Sequence, residues 1–462
     1  MKKHLLSATV GLALSAVTFT SSADDLAQIY QLAVNNDPAL LRAAAERDAA
    51  QKNVDIAKSA FWPQLTGQAG YSESTSESES YFETQDAYVT LESERTGWNA
   101  GITLNQSIFD WSTWQQADIA EKQAYQAEVA YRGAAQQLML RVINAYFGAL
   151  QAQDDLAFAE AEKRAIERQL EQTKQRFSVG LTAITDVHEA QAQYDSAVAA
   201  EIQARNAVKI AFENVREITG QYPQTLAGLQ TDAFEPAEPT PAEVRDWVTK
   251  AENGNLSLMQ SMVAVDIAEQ RIKVEQSGHY PTVSLNAQYS TQDNETDTSG
   301  SGFSFYSNPP SLDSKSIGLN LNVPIFSGFR TTALTAQARD NYVATSQTMV
   351  ETRRTVEREV RNAFYDVNAS LASIRAFEQA VTSAESALKA TEAGFEVGTR
   401  TIVDVLNSTR NLFNARRNLA EARYGFIRQR LALEQSIGDL TPEDLRGINA
   451  ALSENADGTA AE

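Results

Sequence analysis

Hydroxyl, carboxylate and glycine residues recur together in two matching segments of the sequence. Residues 176–187 read RFSVGLTAITDV and residues 394–405 read GFEVGTRTIVDV, with six of the twelve positions identical. A glycine takes the left-handed backbone that ends many helices, and threonine and aspartate side chains bind the free amides where a helix begins. The chemistry available here is helix capping at two tight turns. The residues concerned are Gly180 with Thr185 and Asp186, and Gly398 with Thr401 and Asp404.

Residues suited to catalysis or metal binding are scarce elsewhere. The chain has no cysteine, which excludes disulfides, iron–sulfur clusters, thiol catalysis and a lipid anchor on cysteine. Only His188 and His279 follow residue 23, too few for an ordinary histidine zinc site, and His188 is interpreted as solvated or packed. No Ser/His/Asp set or carboxylate pair converges on the predicted strands, so we expect neither an enzyme nor a cofactor or metal. A net charge of −21 also disfavours nucleic acid as a partner.

Residues 1–23 have the pattern of a secretory signal peptide. A short basic start precedes an apolar run over 5–19, and small residues at 21–23 offer a cleavage site. The alternative is an N-terminal membrane anchor, but a spanning helix needs about 20 apolar residues. We therefore predict that the mature chain begins at Asp24. The small, acidic residues 454–462 predict a disordered tail.

The two turns must be carried by very long helices. Residues 110–177 and 328–395 contain no proline and are rich in good helix formers. At 1.5 Å per residue each helix would be about 100 Å long, which is typical of a coiled coil or a tube. An apolar heptad follows the second turn: Val405, Leu412, Leu419, Phe426 and Leu433. The predicted helical hairpins are 110–219 and 328–437, with shorter helices at about 25–60 and 242–277.

Four runs of about ten residues alternate between apolar and polar side chains, a pattern of transmembrane β-strands. A soluble β-sandwich would show the same period. The signal peptide and two polar stretches, 73–97 and 291–314, which we interpret as exposed loops, favour the membrane. The predicted strand pairs are 63–72 with 99–109, and 281–290 with 316–326.

Four strands in lipid must close with copies of the chain, because an open sheet edge exposes unpaired backbone groups. A dimer would give about eight strands with a filled interior, whereas a trimer would give about twelve strands and a lumen. We therefore predict an α+β membrane protein. If the function is transport, the expected form is a homotrimeric 12-stranded transmembrane β-barrel, four strands per chain, continued by a 12-helix coiled-coil tunnel.

The two halves of the chain correspond after a shift of 218 residues, as at Gly220 and Gly438. This correspondence indicates two structural repeats, 24–240 and 241–453. The first repeat ends in a segment rich in Pro, Thr and Glu, 221–240, which we place as a belt around the middle of the tunnel.

The sequence resembles the TolC-type family of outer-membrane efflux proteins over nearly the whole mature chain. The resemblance is carried by QSIFDWSTW at 106–114, RFSVGLTAITDVHEAQAQYD at 176–195, VGTRTIVDVL at 397–406 and LTPEDLRGINAALS at 440–453. In that family three chains form one conduit, with a barrel in the outer membrane and a helical tunnel in the periplasm. The conduit is joined by a periplasmic adaptor (membrane fusion) protein to an inner-membrane pump of the RND or ABC type. The resemblance implies a passive exit duct for drugs, small toxic compounds or polypeptides, including type I secretion.

The resemblance also implies a gate. Arg400 matches an arginine that latches the closed tunnel to Thr185 and Asp186 on a neighbouring hairpin. Asp404 matches the inner carboxylate of a ring at the tunnel entrance, and repulsion between three copies is expected to raise its pKa. The other reading of Asp404 is a helix cap.

Two positions depart from the family pattern. Asn407 stands where many relatives carry a second aspartate of the entrance ring, so the ring should hold three carboxylates, not six, and divalent cations should block it less. Phe395 stands where relatives often have a tyrosine that reaches the latch aspartate.

The family's adaptor docks at the hairpin tips. The matching residues are Val179, Gly180, Leu181, Val397, Gly398 and Thr399. The competing interpretation is a trimeric coiled-coil surface or structural protein without transport. That interpretation predicts strands at one end of the chain only, whereas predicted strand pairs interrupt the helices twice.

Overall fold

The computed structural model describes residues 24–82, 86–230, 234–300, 303–449 and 452–453. The predicted signal peptide and the predicted tail lie outside these residues. The helices are α1 (Leu26–Asn36), α2 (Pro38–Ser59), α3 (Trp111–Ser178), α4 (Ile184–Thr219), α5 (Val244–Gly254), α6 (Leu256–Gln276), α7 (Arg330–Glu396), α8 (Ile402–Ser436) and α9 (Pro442–Asn449). The strands are β1 (Gln64–Phe82), β2 (Ala87–Phe109), β3 (Gly228–Leu229), β4 (Thr282–Gly300), β5 (Phe303–Ser307), β6 (Leu312–Asn322) and β7 (Leu452–Ser453).

The chain divides into two compact units. The helical unit comprises Met1–Leu41, Ala135–Ala251 and Arg358–Glu462, and the strand unit comprises Arg42–Ala134 and Glu252–Glu357. Helices α3 and α7 contribute residues to both units.

The strand unit contains one antiparallel sheet of five strands. Its order is β1–β2–β4, and both β5 and β6 pair with the remaining edge of β4. The register aligns the predicted apolar positions across the sheet, as in the row Leu65, Leu104, Ala287 and Ile317. The row on the opposite face is Thr66, Thr103, Gln288 and Ser316.

Within the described part of the chain, nothing covers the apolar face of this sheet. Leu65 and Ile317, at the two edges of one row, are 69% and 77% exposed. Burying a leucine-sized side chain is worth about 2 kcal/mol, so such a face needs an apolar environment from outside the chain. The predicted alternation of apolar and polar side chains is therefore confirmed.

The interpretation of 73–97 and 291–314 as loops is wrong for most of their length. β1 continues to Phe82 and pairs with β2 residue for residue from Gln64↔Asn105 to Phe82↔Ala87. Serine, threonine and glutamate tolerate a strand when a neighbour satisfies their backbone groups, which composition alone does not reveal. β6 also ends at Asn322, short of the predicted 326, because Pro324 has no N–H to donate to a ladder.

The long helical hairpins are confirmed. α3 and α4 fill the predicted 110–219, and α7 and α8 fill the predicted 328–437. In the described residues, no helix is long and apolar enough to cross a membrane.

Each predicted shorter helix is instead two helices. Asp37 and Asn255, which correspond after the 218-residue shift, stand at the breaks. The Asp37 carboxylate accepts a hydrogen bond from the Leu40 amide at 2.8 Å, and the Asn255 side chain accepts one from the Leu258 amide at 2.9 Å. Each side chain therefore caps a new helix. Pro38 also disfavours helical backbone at Asp37.

The segment 221–240 is anchored onto the helical unit. β3 pairs with β7, and the buried Tyr146 hydroxyl of α3 donates to the Ala227 carbonyl at 2.8 Å. Helix α1 contacts α4 and α9, and α4 contacts α8.

Candidate functional site

The first hairpin tip, 179–183, joins α3 to α4. Gly180 has a φ of 78°, and the Leu181 amide donates to the Arg176 carbonyl at 2.9 Å. These features make a left-handed turn that satisfies the last carbonyl groups of α3. A side chain at Gly180 would be strained by the positive φ.

The cap of α4 differs from the prediction. Ala183 occupies the N-cap position and makes no side-chain hydrogen bond, while Thr185 lies inside the first turn. Asp186 instead accepts a hydrogen bond from the Thr182 hydroxyl. Thr182 belongs to the turn itself, so the Asp186 carboxylate is held by its own hairpin.

The second hairpin tip, 397–401, joins α7 to α8 with a complete capping box. Gly398 has a φ of 81°. The Thr401 hydroxyl accepts from the Asp404 amide at 3.3 Å, and the Asp404 carboxylate accepts from the Thr401 amide at 2.9 Å. The cap predicted for Asp404 is therefore confirmed.

Capping sets the charge state of Asp404 within one chain. Hydrogen bonds from the Thr401 amide and hydroxyl, with a smaller contribution from the Arg400 charge, hold the pKa of Asp404 below its usual value. This direction is opposite to the rise expected from a ring of aspartates. The raised pKa belongs to a ring of three carboxylates from three chains, and it stays a prediction.

Arg400 lies exposed at the second tip, and its stem crosses Gly394. A Cβ atom on Gly394 would lie 2.7 Å from the Arg400 Cγ, so the absence of a side chain there leaves room for the arginine. Among the described residues of this single chain, no ion pair or hydrogen bond joins Arg400 to Thr185 or Asp186. The structure does not bring these three residues together.

Phe395 is buried, with 8% of its surface exposed, in an apolar cluster that joins the two hairpins. Arg176 lies over it, with the guanidinium carbon 4.5 Å from the ring centroid. The buried members of this cluster are Ile166, Leu170, Ala190, Ala197, Phe395, Ile402, Val405 and Leu406.

Asn407 lies one turn after Asp404 on α8, where its side-chain oxygen accepts from the Arg410 guanidinium at 3.0 Å. His188 is exposed on α4. Across the described ranges, no three or more His, Asp or Glu side chains are grouped to hold a metal ion.

Apolar side chains project from both tips. Val179 and Leu181 are each 69% exposed, and Val397 is 76% exposed. A cluster of apolar groups at the end of a charged helical hairpin is unusual on a free surface.

The sequence predicted no role for Arg176 or Gly394, and it did not predict the hydrogen bond from the Thr182 hydroxyl to Asp186. The repeat offered a signal for each, because Thr182 corresponds to Arg400 and Arg176 corresponds to Gly394 after the 218-residue shift. Positions where two repeats differ are candidates for roles that only one copy performs.

A sheet with an uncovered apolar face, helices of 68 and 67 residues and two tight tips define a class of membrane channel protein. The sequence profile of the family described as outer membrane efflux protein matches residues 29–221 and 247–439. The chain belongs to this family of outer-membrane efflux proteins.

The relatives are similar over almost their full length. The chain is 44% identical to outer membrane protein TolC of Vibrio cholerae serotype O1, covering 97% of this chain and 99% of the relative. It is 40% identical to outer membrane protein TolC of Escherichia coli strain K12, covering 98% and 90%. It is 28% identical to alkaline protease secretion protein AprF of Pseudomonas aeruginosa, covering 91% and 86%.

The fold is similar to that of a solved outer membrane protein, VceC of Vibrio cholerae. The TM-score is 0.70 at 20% identity, covering 89% of this chain and 96% of that one.

Proposed function

We propose that three copies of the chain form one passive exit duct, with a twelve-stranded barrel in the outer membrane and a twelve-helix tunnel in the periplasm. The duct exports drugs, small toxic compounds or polypeptides that an inner-membrane pump delivers through a periplasmic adaptor protein. The family's description as outer membrane efflux protein supports efflux, and the name of a relative, alkaline protease secretion protein AprF, supports secretion.

The observation that carries the proposal is the sheet. Near Leu65 and Ile317 one face of the sheet is apolar and the other is polar, and within the described residues β1 and β6 lack a partner on their outer edges. Lipid cannot hydrogen-bond such edges, so a sheet in the membrane must close with other sheets. Three sheets leave a lumen, whereas two would fill it with side chains.

A duplication accounts for the two hairpins. The matched ranges 29–221 and 247–439 are offset by the same 218 residues at both ends. The paired helices have nearly equal lengths, 68 and 67 residues for α3 and α7, and 36 and 35 for α4 and α8. We assign the repeats to 24–240 and 241–453.

The hairpin tips serve as gate and docking surface in this proposal. Arg400 reaches Asp186 and Thr185 of a neighbouring chain when the tunnel is closed, and three copies of Asp404 and Asn407 form the entrance ring. The exposure of Arg400 and its freedom from ion pairs within the described part of the chain support the latch. The exposed Val179, Leu181 and Val397, with Gly180, Gly398 and Thr399, form the docking surface for the adaptor.

A coiled-coil spacer without transport fits less well. Such a protein has no use for a sheet whose apolar face is uncovered, and here two strand pairs are inserted between helices. The adaptor and the inner-membrane pump that join the duct determine which cargo it carries.

The proposal is tested in a strain that lacks this gene. We expect such a strain to become susceptible to several toxic compounds and to recover when the full chain is restored. A Gly180→Pro or Gly398→Pro variant that still assembles should not restore resistance, because the tip that meets the adaptor is distorted. Unchanged susceptibility of the deletion strain, across compounds and pumps, would overturn the proposal.

A further inference from the structure

Arg176 and Phe395 meet at the ends of two different hairpins. Arg176 lies in the last turn of α3, and Phe395 lies in the last turn of α7. The guanidinium carbon is 4.5 Å from the ring centroid, inside the range of a cation–π interaction. Through Phe395, this contact adds a charged group to the apolar cluster that joins the two hairpins.

The guanidinium has another unusual feature. Its Nε atom is buried and makes no hydrogen bond with any described residue. A donor removed from water is costly unless another attraction offsets the loss. The electron-rich face of Phe395 supplies that attraction, and its strength grows when water is excluded.

The two halves of the chain differ at this pair. Phe177 corresponds to Phe395 after the 218-residue shift, yet Phe177 is 42% exposed and Phe395 is 8% exposed. Arg176 corresponds to Gly394, which leaves room for the Arg400 stem. Each hairpin therefore has one arginine at or next to its tip, at different positions and with different neighbours.

We propose that Arg176 and Phe395 form a cation–π clamp that holds the two hairpins of one chain together while the tunnel is closed. The clamp acts within a chain, whereas the Arg400 latch acts between chains. The clamp attaches Phe395 to the other hairpin, although the phenylalanine ring has no hydroxyl that could donate a hydrogen bond. The inference rests on the proposed duct and its gate.

The proposed gate opens by movement of the hairpins relative to each other, so the clamp stabilises the closed state. A partly desolvated cation–π pair changes an equilibrium by roughly two- to thirtyfold. We expect loss of the clamp to raise the ratio of open to closed channels by a factor in that range.

The test replaces Phe395 in the full-length protein with phenylalanine carrying one, two or three ring fluorines. Each fluorine withdraws electron density from the ring face while the ring keeps its shape, so a cation–π pair weakens stepwise. We expect the open fraction in planar bilayers to rise with each fluorine. The same series in an Arg176→Gln background should give a flat response.

Phe177 provides the matched control, because fluorination at this exposed equivalent position should leave the open fraction unchanged. An equal rise in both the Arg176 and the Arg176→Gln background would mean that the ring acts only by packing, and it would overturn the clamp. So would a flat series with Arg176 present.

Two further measurements distinguish a failure of the proposed duct and its gate from a failure of the clamp. If Arg400→Ser and the fluorinated proteins are all silent in bilayers, the proposed duct fails. The clamp is then tested by thermal unfolding. The midpoint temperature of unfolding should fall with each added fluorine only when Arg176 is present. A midpoint that ignores fluorination would overturn the clamp whatever the bilayers show.

Discussion

Asp404 carries two roles whose effects on its pKa are opposite. As the capping residue of α8 it is stabilised in its charged form by the Thr401 amide and hydroxyl. As a member of the proposed entrance ring it would be repelled by two copies of itself. In the proposed ring the cap therefore favours the charged form that cation binding requires, and repulsion among the three carboxylates opposes it.

Asn407 limits the charge of that ring. We predict that Asn407→Asp lowers the magnesium concentration for half block of conductance by about two- to fivefold, because three carboxylates are added one turn from Asp404. Arg410 already donates to the Asn407 side chain and would neutralise part of the new charge.

Two further variants sharpen this measurement in planar bilayers. Asn407→Ser, which adds no charge, should leave block unchanged, and Arg410→Gln together with Asn407→Asp should strengthen it further. Magnesium block that does not respond to Asn407→Asp would show that position 407 does not face the ion path.

Contacts between individual side chains were the hardest part of the structure to predict from the sequence. The roles of Gly180 and Gly398 at the turns followed from glycine's conformational freedom, and both have the positive φ expected. The contact between Arg176 and Phe395 did not follow, because it joins residues more than 200 positions apart in sequence and depends on how two hairpins pack. Periodicity identifies which side chains are buried but not which ring an arginine will cover.

The break between α1 and α2 illustrates the scale of the element. Asp37, only 3% exposed, caps α2 and receives both terminal nitrogens of Arg141 on α3, at 2.9 and 2.8 Å. Burial raises the pKa of Asp37, but the hydrogen bonds from Arg141 and from the amides of Leu40 and Ala39 outweigh it, so the pKa is lowered. The ion pair between Asp37 and Arg141 attaches the break between α1 and α2 to the long helix α3.

We predict that Arg141→Met destabilises the folded protein by about 2 kcal/mol at neutral pH, because a buried carboxylate is left without its cation. Arg353→Met provides the control. Arg353 binds Glu252 at 2.7 Å, but both side chains are substantially exposed, and such pairs contribute little. Equal effects of the two variants on thermal unfolding would contradict this assignment.

The loss of stability in Arg141→Met should depend on pH, because the pKa of Asp37 is lowered in the folded protein. A carboxylate with a lowered folded pKa stabilises the protein above its usual pKa of about 3.9, and this contribution is lost as the pH falls through the lower folded value. The deficit of Arg141→Met should therefore be constant from about pH 5 to pH 8 and narrow below about pH 4.

The elements themselves were largely predictable from the sequence. Proline-free stretches and an apolar heptad located α3, α4, α7 and α8 to within a few residues. The strands were underestimated because serine and glutamate do not favour strands and outnumber the threonines there, and only the partner strand reveals that their backbone is paired. The helix break at Asp37 was readable from the proline that follows it.

At the scale of the whole molecule, the proposed repeat accounts for both the common structure and the differences between the two hairpins. Matching helices, strands and turns occur in both halves of the chain. The proposed clamp, the proposed latch and the capping box each fall where the halves differ, as at Thr182 and Arg400. We infer the assembly from the outer edges of β1 and β6, which have no partner among the described residues, and from the exposed apolar face.

Conductance of the purified full-length protein in planar bilayers tests the central claim most directly. We predict discrete, cation-selective channels from trimers, with low conductance in the closed resting state. Arg400→Ser should raise that conductance, because the latch between chains is lost. Folded trimers that pass no current, with or without Arg400, would contradict the account of the protein as an outer-membrane exit duct.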